Sequence, residues 1–322
     1  MPDFIAIGDT VIDAFIKLKS AEVSADKTRL TLSFGDKIPY ESVEEIPAVG
    51  NSANASVSAA RLGLSSALVT HLGSDENGKK CLARLNEEKV STEFISTQEG
   101  KQTNYHYVLW YGDDRTILVK HQEYDRKFPL GGSTAKWLYL SSLGADTVEY
   151  HKEIIEYLKN NPEINFAFQP GTFQLSLDAS MLKDIYERSN ILFCNVEEAE
   201  TILGINTLGI EELIKRLKTI GPEIVVITDG PKGAYAYDGT NIYKQLPYPD
   251  PKPPFERTGA GDAFASTTVA ALALGKDLPV ALQWGAVNSM SVVQEVGAQK
   301  GLLTREKIEE YLKKAPVEFQ TK

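Results

Sequence analysis

Residues 191–228 read ILFCNVEEAETILGINTLGIEELIKRLKTIGPEIVVIT. The stretch opens and closes on short apolar runs, Ile191–Cys194 and Ile224–Thr228. Between them lie two segments with helical spacing, Glu197–Leu203 and Glu211–Thr219. A strand, a helical crossover and a second strand form the unit from which parallel sheets are built. The same rhythm extends over most of the chain. Further strands are predicted at Phe4–Gly8, Ala67–Leu72, Trp137–Leu140 and Asn165–Phe168. Further helices are predicted at Ser52–Leu62, Gly78–Lys89 and Val148–Asn160, and the last third is helical at Ala263–Gly275, Pro279–Glu295 and Thr304–Lys313. Strands spaced by helices imply an α/β fold whose mostly parallel sheet is covered on both faces. Such sheets bind ligands at the carboxyl ends of their strands.

Two regions break the rhythm. Within 27–49, Leu30, Leu32 and Phe34 alternate with Thr31 and Ser33. Within 103–119, Tyr105, Tyr107, Leu109 and Tyr111 share one strand face, and Asn104, His106, Val108 and Trp110 share the other. Period-two patterns of this sort read as exposed antiparallel strands, here a small β flap standing off the main layer. Leu246–Phe255, rich in proline, reads as a loop. Gly73-Ser74-Asp75-Glu76-Asn77-Gly78-Lys79-Lys80 comes close to a phosphate-binding P-loop. Lys80 replaces the hydroxyl that would hold Mg²⁺, and two carboxylates would face the phosphates. It reads instead as an acidic helix start.

Composition narrows the function. The chain has 322 residues, net charge −10 and two cysteines, Cys81 and Cys194, without CxxC spacing. The charge disfavours nucleic acid and anionic membranes as partners. The cysteine usage fits a reducing cytoplasm and neither a disulfide scaffold nor a zinc knuckle. MPDFIAIGD has no basic segment and reads as a first strand rather than a signal peptide. No apolar run approaches the ~18 residues of a membrane span.

The chemistry concentrates in Thr258-Gly259-Ala260-Gly261-Asp262-Ala263-Phe264. A helix N-terminus exposes unpaired N–H groups and a partial positive charge. Gly259, Ala260 and Gly261 would let an anion approach those groups closely. Asp262 at the edge of this cradle would repel phosphate, but could take the proton of a hydroxyl attacking phosphorus. An ordinary helix cap by Thr258 or Asp262 explains the same residues. Other segments bear on the choice. Asp13 follows the first strand and could accept from neighbouring hydroxyls. Gly50-Asn51-Ser52-Ala53-Asn54 opens a small-residue helix with amides suited to a polyol. Asp229-Gly230-Pro231-Lys232-Gly233 is a glycine turn after a strand, suited to nucleotide phosphates. Asn195 and Glu198 could organise Mg²⁺ and its waters, or could equally be a reciprocal helix cap.

In this order the segments resemble the PfkB (ribokinase-like) carbohydrate kinases over essentially the whole chain. Gly50, Asn54, Ser56, Gly63 and Gly73 match the family's first signature, with Val49 in place of one glycine. Thr258, Gly259, Ala260, Gly261 and Asp262 match the second, with Glu256 where Asp is usual. Asn195 and Glu198 match NxxE, and the turn at 227–233 is similar to the nucleotide loop. The resemblance implies one ribokinase-like domain over 1–322, a three-layer α/β/α fold with a small β-sheet lid from about 14–49 and 102–122. It implies an ATP- and Mg²⁺-dependent phosphotransferase acting on a sugar hydroxyl. Asp262 would be the base and the Gly259–Gly261 backbone the anion hole. Asp13, Gly50 and Asn54 would hold the sugar. Asn195, Thr228, Gly230 and Gly233 would contact ATP, with Asn288 near the adenine. Glu198 would act on Mg²⁺ through water. A K⁺ site is implied at Glu256, Thr258, Val292, Glu295 and Gly297, and a homodimer contact through the lid.

The departures bear on the acceptor. Gly144 stands about where ribokinases carry a sugar-binding Glu, and Val11 where they carry Asn, which argues against ribose. Tyr105, Tyr107 and Trp110 could stack on a nucleobase, giving a nucleoside kinase as the alternative, or could be packing or dimer contacts. A non-catalytic sugar sensor is a third reading. A phosphosugar acceptor would need further cations near Asp13, for which Lys17, Lys27, Arg29 and Lys120 are the candidates.

Overall fold

The apolar runs of the sequence become strands of one sheet. A computed structural model describes residues 1–322 apart from 113, 146, 178, 207, 208 and 256. In chain order the strands are β1 (Phe4–Ile7), β2 (Val11–Leu18), β3 (Glu22–Val23), β4 (Leu30–Thr31), β5 (Tyr40–Val49), β6 (Ser66–Gly73), β7 (Ile95–Gln98) and β8 (Asn104–Tyr111). They continue as β9 (Asp114–Leu118), β10 (Trp137–Leu140), β11 (Asn165–Phe168), β12 (Ile191–Asn195), β13 (Ile224–Thr228), β14 (Ala234–Tyr237) and β15 (Ile242–Gln245). The helices are α1 (Asn51–Arg61), α2 (Glu76–Glu87), α3 (Val148–Asn160), α4 (Thr172–Leu175), α5 (Lys183–Arg188), α6 (Val196–Leu203), α7 (Ile210–Thr219), α8 (Ala260–Ala273), α9 (Leu278–Val292) and α10 (Arg305–Lys313).

Nine strands form the main sheet in the order β15-β14-β13-β12-β11-β10-β1-β6-β7. All pairings from β13 to β7 are parallel, and β14 and β15 add an antiparallel edge. Successive side chains of a strand point to opposite faces, and both faces are apolar. Phe4, Ala6, Tyr139, Phe193 and Val226 pack with α1, α2, α8, α9 and α10. Ile5, Ile7, Leu138, Leu140, Leu192 and Val225 pack with α3, α5, α6 and α7. The result is the expected three-layer α/β/α architecture. The β14–β15 hairpin was not expected. Its strands are short and half polar, and only Asp238-Gly239, whose carboxylate accepts from the N–H groups of Thr240 and Asn241, marks the turn.

A second, four-stranded sheet runs β5-β2-β8-β9. It fills the expected flap, with one correction. Antiparallel strands were expected throughout, but β2 and β8 pair in parallel. β2 leaves the main layer from the carboxyl end of β1, and β8 leaves it from the carboxyl end of β7. Both therefore run outward in the same direction, and the intervening chain through α1, β6, α2 and β7 is the crossover that parallel pairing needs. The alternation at Leu30–Phe34 yields only the two-residue β4 paired with β3, and Leu32 and Phe34 are exposed.

The loop that came close to a P-loop is closed on itself. Asp75 caps α2, accepting from Gly78 N at 2.8 Å and Thr103 Oγ1 at 2.6 Å. A Cβ on Gly78 would meet Gly73 O at 2.1 Å, so the turn has no room for phosphate. Cys81 and Cys194 are buried and free. Among the described residues, no helix is long and apolar enough to cross a membrane.

Candidate active site

Helices α1 and α8 are built from small residues and pack face to face, with Ser58 Oγ 3.1 Å from Thr267 Oγ1. This close approach carries Asn54 to Asp262. Asn54 Nδ2 donates to Asp262 Oδ2 at 2.8 Å, and Gln169 Nε2 donates to Asp262 Oδ1 at 3.2 Å. Each donor is itself fixed. Gln299 Nε2 donates to Asn54 Oδ1 at 3.1 Å, which turns the Asn54 amide nitrogen towards Asp262. Tyr139 donates its hydroxyl to Gln169 Oε1. Asp262 keeps some surface open to the cleft, but protein surrounds its carboxyl group. That burial pushes its pKa up to about 6 against the lowering effect of Asn54 and Gln169, and the charge of Asp13 adds to the rise. A carboxylate tuned towards neutrality is suited to proton transfer.

Gly259 precedes α8 with φ 79°. Only glycine fits there, because a Cβ would come within 2.4 Å of the Cβ of Ala298. The helix therefore starts with small residues and its first N–H groups unpaired by position. Two cavities meet at this start. One, of about 210 Å³, is lined by Asp262, Gly259, Glu198, Gln169, Arg115 and others. The other, of about 790 Å³, is lined by Gly230, Gly233, Phe264, Ala286, Met290 and others. Asn195, Thr228, Arg257, Ala260 and Gly261 line both. The larger volume suits a nucleotide-sized ligand.

Asn195 and Glu198 form the reciprocal cap allowed by the sequence. Asn195 Oδ1 accepts from Glu198 N, and Glu198 Oε2 accepts from Asn195 N, both at 2.8 Å. Both also line the smaller cavity. Burial raises the Glu198 pKa against the Asn195 N–H bond, and the charges of Asp262 and Glu197 add to it.

On the other side of Asp262 lies a chain of carboxylates and rings. Gly50 has φ 110°, and a Cβ there would meet Asp9 O at 2.6 Å. Asp13 on β2 pairs in register with His106 on β8, their Oδ1 and Nδ1 being 3.4 Å apart. The His106 ring lies 5.3 Å from that of His121. His121 Nδ1 is 3.4 Å from Asp9 Oδ2. Asp9 also accepts from Arg126 and from Gly144 N, each at 2.7 Å. Burial alone would raise the Asp9 carboxyl, but the His121 hydrogen bond and the Arg126 charge outweigh it and hold it below its usual range. The place expected to lack a carboxylate at Gly144 is therefore filled from elsewhere: a Cβ on Gly144 would stand 3.2 Å from Asp9 Oδ2 and 3.4 Å from His121 Nδ1. Asp13 Oδ1 and His106 Nε2 are buried without a hydrogen-bond partner. Orphaned polar atoms of this kind mark a surface that a ligand completes.

Some expected residues lie elsewhere. Asn288 does not line the nucleotide-sized cavity. It is fully buried, donating to Thr267 Oγ1 at 2.7 Å and accepting from Leu303 N at 2.8 Å, and its neighbours Ser289 and Met290 line the cavity instead. The polar periodicity of α9 could not tell which of these adjacent positions faces the cleft. Tyr105 and Tyr107 project from the face of β8 opposite His106. Tyr105 donates to Glu45 and its ring lies 5.2 Å from that of Tyr107. Trp110 shares the His106 face and packs edge-on against Phe255 at 5.0 Å. Val292 is buried, Glu295 is ion-paired with Lys300 at 3.0 Å, and a Cβ on Gly297 would meet Ile46. Gly259, next to Thr258, lies against Ala298, while Glu256 falls outside the described residues. Asp9, Gln169, Tyr139, His121, Arg126, Arg115 and Arg257 were not singled out by sequence. Gln169 had a signal: it follows the expected strand Asn165–Phe168, where parallel sheets place ligands.

The sequence profile of the pfkB family carbohydrate kinases matches residues 6–305. Relatives include the 5-dehydro-2-deoxygluconokinase of Bacillus subtilis, 24% identical over 82% of this chain and 86% of that protein. The ribokinase of the same organism is 27% identical over 86% of this chain and 92% of that protein. The nucleoside kinase of Methanocaldococcus jannaschii is 24% identical over 82% and 85%. The structure of Arabidopsis thaliana ribokinase complexed with ribose and ATP superposes with a TM-score of 0.80 at 18% identity, covering 97% of this chain and 99% of that one. A putative ribokinase II from E. coli in complex with ATP and Mg²⁺ gives 0.76 at 18%, covering 98% and 100%. At these identities the two structures speak for the fold.

Proposed function

This chain belongs to the pfkB family of carbohydrate kinases, and we propose that it transfers the γ-phosphoryl group of ATP to a hydroxyl of a small, unphosphorylated polyol. The observation that carries this reading is the position of Asp262. It lines the smaller cavity at the N-terminus of α8, next to Ala260 and Gly261, which line both cavities, with its pKa raised to about 6 and close enough to Asp13 to feel its charge.

The larger cavity takes the nucleotide, its phosphates running along Thr228, Gly230 and Gly233 towards Asn195. The acceptor lies between Asp13, His106, Gly50 and Asn54. Asp262 takes the proton of the attacking hydroxyl. The acceptor oxygen forms the new bond to phosphorus, the bridging oxygen–phosphorus bond of ATP breaks, and its electron pair stays on ADP. The first N–H groups of α8 face the charge that spreads over the transferring phosphoryl oxygens. Gln169 and Asn54 orient the base, and both lower its pKa so that it is ionised at neutral pH. The small sheet, inserted as a lid, would shut water out of the reaction.

Magnesium fits Glu198. One carboxylate oxygen is spent on the helix cap, and the other has no partner among the described residues while the side chain lines the cavity of Asp262. Held there through Glu198, the ion would supply positive charge to offset that of the ATP phosphates. For K⁺ the fit is with backbone, since Gly259 lies against Ala298, next to Gly297. Glu295 is engaged by Lys300 and is not part of that proposal.

The acceptor is read as unphosphorylated because the candidate cations lie elsewhere. Lys17 pairs with Glu41, Lys27 and Arg29 line a 90 Å³ cavity between the β3–β4 ribbon and the β8–β9 pair, which meets the cavity of Asp262 at Arg115, and Lys120 is exposed. Arg126 is neutralised by Asp9. The competing nucleoside reading put Tyr105, Tyr107 and Trp110 against a base; the two tyrosines lie on the sheet face away from Asp13, and Trp110, on the Asp13 face, packs against Phe255. The test is ADP release with ATP and a panel of ribose, fructose, ketodeoxy acids, sugar phosphates, adenosine, inosine and cytidine. Phosphorylation of a nucleoside or a phosphosugar in preference to a free sugar or sugar acid would overturn the acceptor assignment.

A further inference from the structure

Arg115 stands on β9, the edge strand of the small sheet, far from every motif of the sequence. In the β8–β9 pairing it lies directly across from Trp110. Residues in register share a sheet face, so Arg115 projects from the same face as Trp110 and His106. It lines the 210 Å³ cavity together with Asp262, Asn195 and Gly259–Gly261. Its Nε is buried without a hydrogen-bond partner. Its recorded polar contact is a long one, 3.5 Å from NH1 to Oδ1 of the adjacent Asp114. A guanidinium with its donors largely uncommitted therefore reaches a cavity that holds two carboxylates, Asp262 and Glu198, and in which Arg257 is the other cation.

We propose that Arg115 is a further catalytic residue, delivered by the small sheet onto the phosphoryl group in transit. The proposal rests on the kinase reading above. As the acceptor oxygen bonds to phosphorus and the bridging bond to ADP breaks, negative charge spreads over the equatorial oxygens of the moving group. The planar fork of an arginine matches two of those oxygens. Arg115 approaches from the acceptor side, opposite the N-terminus of α8, so the charge is held from two directions. The connection to substrate is direct: β9 pairs with β8, β8 pairs with β2, and β2 carries Asp13. Binding of an acceptor at Asp13 and His106 thereby fixes the sheet that brings Arg115 into place.

The experiment compares wild type, Arg115→Ala and Arg115→Lys with the best acceptor of the panel, reading kcat and both KM values. It also reads thermal stabilisation by MgADP and by MgADP with aluminium fluoride, a mimic of the phosphoryl group in transit. Arg115→Ala is expected to lower kcat by about 10²–10³-fold, with both KM values and the MgADP stabilisation near those of wild type. The added stabilisation from aluminium fluoride is expected to shrink. Arg115→Lys is expected to recover part of the rate, keeping the charge but not the fork, and carries the test if the Ala variant does not fold. Unchanged kcat, or a loss confined to the acceptor KM, would overturn the proposal while leaving the kinase reading standing. If wild type phosphorylates nothing in the panel, the kinase reading fails and this role falls with it.

Discussion

Asn54 Nδ2 reaches Asp262 Oδ2 at 2.8 Å across 208 residues of sequence. The bond joins the first turn of α1 to the first turn of α8 and holds the carboxylate at the smaller cavity. It also makes the acid testable. Asp262→Asn keeps the shape and removes the base. It is expected to lower kcat by about 10²–10⁴-fold while MgADP still binds, measured by ADP release and by calorimetry. Near-normal turnover would remove Asp262 from its proposed role.

The raised pKa of Asp262 has two consequences with opposite pH signs. The base must be ionised, so activity is expected to fall as pH drops through about 6. Stability runs the other way. The folded-state value lies above the ordinary 3.8, so the folded protein holds this proton more tightly than the unfolded chain. That contribution is full below about pH 4 and is lost as pH rises through about 6. At pH 7.5 the ionised Asp262 works against the fold. Asp262→Asn should therefore raise the melting temperature at pH 7.5, by the equivalent of on the order of 1 kcal/mol, and the gain should vanish near pH 4. Thermal melts at the two pH values check this.

Two neighbours should move the acid limb in opposite directions. Gln169 donates to Asp262 and lowers its pKa, whereas the Asp13 charge raises it. Gln169→Leu is expected to shift the limb of the kcat–pH profile above 6 and leave the acceptor KM little changed. Asp13→Asn is expected to shift it below 6 and raise the acceptor KM. Shifts of the same sign in both variants would contradict the electrostatic account.

The strands, the helices and the acidic start of α8 were legible because they are local. Apolar runs fix the strands, and Gly259–Asp262 announces a helix N-terminus with an acid. What sequence could not supply was the direction of side chains brought together by the topology. The orphaned His106 Nε2 and the Arg115 guanidinium became meaningful only once β2, β8 and β9 were seen in register. The parallel β2–β8 pairing was hidden for the same reason, since period two says nothing of strand direction. Asn288 bonds Thr267 and Leu303 while Ser289 beside it lines the larger cavity, because adjacent positions on a buried helix face different neighbours.

Monovalent activation can be separated from ionic strength. With Gly259 lying against Ala298, K⁺ bound beside them would brace the start of α8. The rate of ADP release is expected to rise with KCl and not with choline chloride at equal ionic strength. Equal rates in both salts would dismiss the site.

The outer face of the small sheet carries its own expectation. Rows of the register place Tyr40, Val43, Tyr107 and Leu118 on the face opposite Asp13 and His106. Their relative exposures are 53%, 52%, 48% and 50%. Four large apolar side chains on one exposed face form a patch that a soluble chain ordinarily covers. A second copy of the sheet, meeting this one face to face, would cover it and stiffen the strand pair β2–β8 that carries Asp13 and His106. Light scattering is expected to give a dimer for wild type. Val43→Glu combined with Tyr107→Glu, which places charge in the patch and touches neither cavity, is expected to give a monomer with a raised acceptor KM and unchanged MgADP binding. A wild-type monomer would sink the dimer contact. A monomeric variant with an unaltered acceptor KM would show that the sheet holds Asp13 and His106 in place without a partner.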